Sequence, residues 1–185
     1  MEYRISEPFT KEKFAQLKAG DTVMLTGTVY TARDAAHKRM VEMLQVGGQL
    51  PFEIKNSVIY YVGPTPEKPG NPIGSAGPTT SYRMDAYAPV LLDLGETGMI
   101  GKGQRSQTVK EAVLRNGAVY FAAIGGAGAL MAQRVESAEV IAFEDLGAEA
   151  VRKLSVKDFP VTVILDSKGG DLYSEGRAAY LESRE

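Results

Sequence analysis

"GDTVMLTGTVYTARDAAHKRMVEML", residues 20–44, sets a run rich in β-branched residues directly before a pattern of helical period. After a Gly-Asp turn, the Thr and Val residues between Thr22 and Val29 predict a strand, because branched side chains suit a pleated surface. From Thr31 the period changes. His37, Met40, Val41 and Leu44 share one helical face while Lys38, Arg39 and Glu42 lie on others, with Thr31 or Asp34 as the expected N-cap and Gly47-Gly48 as the stop. A strand running straight into a helix is the repeating unit of α/β architecture.

The alternation continues along the chain. "SVIYYVG" (57–63) reads as a second strand, and residues 63–78 hold five Pro and four Gly, which excludes regular structure there. "TTSYRMDAYAPVLLDLG" (79–95) is helical with a restart near Pro89, since an interior proline removes a donor and clashes with the preceding turn. "TGMIGKG" (97–103) is a short strand entering a turn, followed by a helix over 106–115, a strand "AVYFAAI" (118–124), a glycine turn "GGAG" and a short helix to about Arg134. "AEVIAFEDLG" and "LSVKDFPVTVILDSKGGDLY" close the chain with two further strands. The expectation is a single α/β domain over residues 1–185 with a mixed sheet.

Composition narrows the function. The net charge is −2 with no long basic run, which argues against nucleic acid or an anionic membrane as partner. A signal-like leader and a bilayer-length apolar run are both lacking, so a cytoplasmic location is expected. With no Cys and one His, the chain has no thiolate ligands and cannot build a metal site alone.

Candidate chemistry sits at element junctions. "GPTTSYRMD" (77–85) places adjacent hydroxyls, Thr79 and Thr80, ahead of Arg83. At a helix start they would offer hydroxyls and N–H donors, with Arg83 as a bidentate carboxylate clamp; the plain alternative is an ordinary threonine cap. Arg33 opens the first helix, and Lys102 stands between two glycines that let backbone approach an anion; its plain reading is an exposed turn lysine. His37 lies one turn after Arg33 and reads either as a packing residue or as a titrating group. "AIGGAGALMA" has the setting of a dinucleotide fingerprint, but Met131 occupies its third glycine position, so close packing explains the glycines better. Together Arg33, Thr79, Thr80, Arg83 and Lys102 suit a small polyanion such as a dicarboxylate.

The ordered set "GTVYTARDAAHKR", "YYVGPTPEKPG", "GSAGPTTSYRMD", "GMIGKGQRS", "AIGGAGALMAQ" and "VKDFP" resembles the β subunit, or C-terminal domain, of class I iron–sulfur fumarases and the related L-tartrate dehydratases, across residues 8–175. The resemblance implies a swivelling β/β/α domain working against a cysteine-bearing α subunit that carries a 4Fe–4S cluster, whose open iron serves as a Lewis acid. It implies that Arg33, Arg83 and Lys102 hold substrate carboxylates, that Thr79 is the proposed base and that Thr80 contacts substrate, with Asp34 and His37 supporting. Reversible hydration of fumarate to (S)-malate is the leading expectation. L-tartrate dehydration is the alternative, because Ser81-Tyr82 departs from the Ala-Gly common in fumarases; a non-catalytic dicarboxylate-binding module is the third reading. A dimer of heterodimers is the expected assembly.

Overall fold

A computed structural model describes residues 1–123 and 128–176. The strands are β1 (Glu2–Ser6), β2 (Thr22–Thr31), β3 (Val58–Tyr60), β4 (Gly98–Gly101), β5 (Val119–Ala123), β6 (Val135–Ala142) and β7 (Val151–Leu165). The helices are α1 (Lys11–Phe14), α2 (Asp34–Gln45), α3 (Ala88–Asp93), α4 (Gln107–Asn116) and α5 (Gly128–Ala132), with 3₁₀ turns at Ser81–Met84 and Glu144–Glu149.

β1 through β5 run parallel in chain order, whereas β7 is antiparallel to β5, β6 and β2. Because β7 pairs with both β5 and β2, the strands β2, β3, β4, β5 and β7 close into a ring, with β1 and β6 attached outside it. Closure removes the open edges that a five-stranded sheet would otherwise present.

Alternation along the strands separates two apolar clusters. Val58, Tyr60 and Val62, with Phe121, Val161 and Val163, face the ring interior together with Phe14 and Phe159. Ile59, Tyr61, Met99 and Tyr120 point the other way, onto Met40 of α2, Leu91 and Leu92 of α3, and Val109 and Val113 of α4. A period of two thus sorts Tyr60 from Tyr61.

The mixed α/β sheet agrees with the sequence reading, as do the two strands near the C-terminal end and the restart at Pro89, which lies in the first turn of α3. The cap of α2 differs. Arg33 is the N-cap and makes no side-chain cap bond, while the Thr31 hydroxyl donates to Ala150 O at 3.3 Å and accepts from Arg152 N at 3.0 Å. Thr31 is still in the sheet, paired with Tyr60 and Arg152, so its hydroxyl serves the ring and not the helix. The element reading assigned nothing before residue 20, where β1 and α1 form.

The glycine turn lies mostly outside the described residues. Gly128, however, opens α5 with its carbonyl accepting from Ala76 N at 3.0 Å, and a Cβ there would sit 2.3 Å from Ser75 Oγ. Close approach of the Gly- and Pro-rich loop therefore requires this glycine.

Candidate active site

Three neighbouring parallel strands end together and deliver the candidate residues. After β2 the chain passes through Ala32, whose N–H donates to Tyr60 O at 3.1 Å, to Arg33. After β3, Tyr61 donates to Ile100 O at 2.8 Å and its own carbonyl accepts from Thr79 N at 2.7 Å, which brings the far end of the long loop back to the strand tip. After β4 comes Lys102, in a parallel bridge with Thr80, and Ser81 N donates to Lys102 O at 2.9 Å. Carboxyl ends of parallel strands are where open α/β sheets place ligands. Arg33, Thr79, Thr80, Arg83 and Lys102 thus belong to one edge.

Two glycines make the approach possible. A Cβ on Gly101 would meet Ser81 Oγ at 2.0 Å, and one on Gly63 would meet Arg33 Cδ at 3.1 Å. Arg33 therefore lies across the start of the loop.

The side-chain polar groups of Thr80, Arg83 and Lys102 are not spent on structure among the described residues. Thr80 is the N-cap of the short 3₁₀ turn, but its hydroxyl makes no cap bond, which removes the ordinary-cap reading. That turn replaces the expected helix over these residues. Arg83 and Lys102 are exposed and form no ion pair with another described residue. Lys38 and Arg39, by contrast, are committed to Glu42 at 3.8 Å and, bidentately, to Asp145 at 2.8 Å.

Arg33 is flanked by two carboxylates. Its Nη2 lies 3.6 Å from Asp34 Oδ1 and its Nε lies 3.2 Å from Glu149 Oε1. The second contact is close but misaligned, so Arg33 Nε and Glu149 Oε1 both remain buried without a hydrogen-bond partner among the described residues. His37 sits beneath, fully buried, its ring edge-on to Tyr61 at 5.2 Å. Its Nδ1 is 2.9 Å from Arg33 O, and since a carbonyl only accepts, that nitrogen carries the proton. Burial pushes the imidazole pKa down to about 4, against a smaller opposing effect of the Arg33 carbonyl, so His37 is neutral near pH 7. It supports the Arg33 backbone and does not face solvent.

Concavities of about 380 to 430 Å³ occur elsewhere among the described residues. The larger two, about 430 Å³ each, lie along the loop, between Thr65, Ile73 and Gln133, and near Pro8, Tyr30 and Lys55. The candidate residues share a ledge at these strand ends, on which Arg83 and Lys102 are exposed.

The chain matches the family model "Fumarase C-terminus" over residues 2–176. It belongs to the fumarase C-terminus family. Among its relatives is the anaerobic class I fumarate hydratase of Escherichia coli, 41% identical over 89% of this chain and 31% of the relative. Fumarate hydratase 2 of Leishmania major is 40% identical over 89% of this chain and 29% of its own length. A Methanocaldococcus jannaschii protein, provisionally named L(+)-tartrate dehydratase subunit beta, is 39% identical over 95% of this chain and 92% of its own. The chain thus spans under a third of these two fumarate hydratases but nearly all of the subunit.

Sequence reasoning assigned no part in the site's framework to Tyr61, Ser81, Asp85, Arg105, Tyr120 and Glu149, which surround the ledge. Ser81, Asp85 and Arg105 stand inside the informative motifs, yet no spacing rule marks them. Tyr120 reads as one more apolar strand residue.

Proposed function

We propose that this chain is the β subunit of a two-subunit iron–sulfur hydro-lyase that reversibly hydrates fumarate to (S)-malate in the cytoplasm. The observation that carries the proposal is the convergence of Arg33, Thr79, Thr80 and Lys102 at the ends of three adjacent parallel strands, in a member of the fumarase C-terminus family. Fumarate hydration adds water across a double bond between two carboxylates, so the site must hold a dianion and handle one proton.

Arg33, Arg83 and Lys102 supply the positive charge. A guanidinium binds a carboxylate bidentately, whereas the ammonium of Lys102 acts as a point charge on a mobile stem. The first turn of α2 has no side-chain cap and adds partial positive charge beside Arg33. Thr79 is the proposed base. A hydroxyl is a weak base unless its alkoxide is stabilised, and neighbouring cations lower the cost of that charge.

None of the 185 residues is Cys, so this chain's residues do not fit as ligands of a 4Fe–4S cluster. In the proposed complex that cluster belongs to the cysteine-bearing α subunit, and two heterodimers pair.

L-tartrate dehydration is the second reading, favoured by the near full-length match to the subunit named for that activity. The test is anaerobic co-purification with the α subunit and assay on fumarate, malate and L-tartrate, each subunit alone serving as control. Turnover of fumarate and malate by the complex alone is expected; preference for tartrate would change the substrate, and an intact complex inactive on all three would leave a dicarboxylate-binding module.

A further inference from the structure

Beneath the ledge lies a buried cation that the proposed chemistry does not use. The Arg105 side chain is fully buried, a costly place for a charge unless its donors are paired. Its Nε donates to Asp85 Oδ1 at 2.7 Å and its Nη2 to the Tyr61 hydroxyl at 3.3 Å, with Nη1 against Met99 Sδ at 3.4 Å. The guanidinium also lies over the rings of Tyr61 and Tyr120, at 5.2 and 4.8 Å. Glu96 is also fully buried, but its carboxyl has no hydrogen-bond partner among the described residues, so Asp85 is the counter-charge.

What this group holds is specific. Asp85 follows directly on the turn that carries Arg83, and its second oxygen accepts from Ser106 N at 2.7 Å, just past the Lys102 turn. Tyr120 Oη lies 2.8 Å from Gly103 O and 2.9 Å from Ser81 Oγ. Its own proton goes to the carbonyl, so the Ser81 hydroxyl donates to Tyr120 and its oxygen accepts from Lys102 N at 3.0 Å. Tyr61, stacked on Arg105, anchors Thr79 N through its carbonyl. Packing alone would fill this space equally well with apolar residues. The directional bonds tie two turns together while leaving the groups of Thr79, Arg83 and Lys102 free for a ligand.

We propose that Arg105, Asp85 and Tyr120 are positioning residues that fix the separation of the Arg83 turn from the Lys102 turn, and so match the ledge to the span of a small dicarboxylate. The proposal rests on the hydro-lyase reading above.

The decisive variants are Tyr120→Phe, which removes a single hydroxyl, and Asp85→Asn, which keeps shape and removes charge. Each is assembled anaerobically with the α subunit and compared with wild type for kcat, KM and thermal unfolding. Because sub-ångström misplacement costs catalysis heavily, KM should rise at least about tenfold and kcat/KM fall about 10- to 100-fold in folded Tyr120→Phe complex. A purely structural role would reduce the amount of active complex and leave KM unchanged; that result, or kcat/KM within about twofold of wild type in complexes that fold normally, overturns the proposal. Should Asp85→Asn fail to fold, Tyr120→Phe decides. If the wild-type complex is inactive on all three substrates, the hydro-lyase reading fails, and hydrogen exchange of the Lys102 amide judges the tie itself. Exchange about tenfold faster in Tyr120→Phe supports it, and an unchanged rate overturns it.

Discussion

His37 shows how a residue's surroundings settle its role. Its ordinary pKa is 6.5, and burial takes it to about 4 in the folded chain, so the folded state resists protonation. The stability this confers is fully present above pH 6.5 and is lost as pH falls toward 4, by roughly 3 kcal/mol. Buried Glu96 acts oppositely: burial raises its pKa well above 4.5, with Arg105 opposing, so its contribution falls as pH rises from 4.5. The two overlap, and the clean observable is the difference between wild type and His37→Asn. Denaturant titrations at pH 7 and pH 4 should show the gap between them shrinking by roughly 3 kcal/mol at the lower pH. A constant gap would mean that His37 is accessible to protons. Legibility at this scale was uneven. The placement of Arg33, Arg83 and Lys102 at element junctions was readable from the neighbouring strand, helix and glycine signals, whereas Tyr120 and Asp85 act through partners 39 and 20 positions away, which no local pattern reveals.

At the scale of elements, the site depends on a strand end and a turn lying almost in contact. Gly101→Ala would place a Cβ 2.0 Å from Ser81 Oγ and push the Ser81–Met84 turn away from β4. It should destabilise the chain by about 2 kcal/mol. Gly70→Ala provides the contrast: its φ of +85° is strained for alanine, but nothing lies within 4 Å of the new Cβ, so the cost is about 1 kcal/mol. Chemical denaturation of both variants checks the order, and a larger loss for Gly70→Ala would contradict the close-approach account. Strands β2 to β5 were legible from apolar and β-branched runs and glycine stops, whereas β1 was not assigned. The return of β7 to β2 was not, because pairing between Thr22 and Thr162 depends on topology and not on either local sequence. Nor was the cap of α2, where Thr31 looked suitable until the sheet claimed its hydroxyl.

For the whole molecule, the ring of strands acts as a rigid base whose one edge carries a concentrated set of cations and hydroxyls. The overall charge of −2 conceals this local excess, which is why composition pointed only to the absence of a polyanionic partner. A chain without Cys, in a family whose relatives include a protein named as a subunit beta, fits the proposed shared site. The most direct measurement is kcat/KM for fumarate hydration by the complex carrying Arg83→Ala, with assembly verified by size-exclusion chromatography. Loss of a bidentate carboxylate contact in the site predicts a fall of about 100-fold or more with the complex intact. A value within about twofold of wild type would contradict the assignment of this edge to substrate.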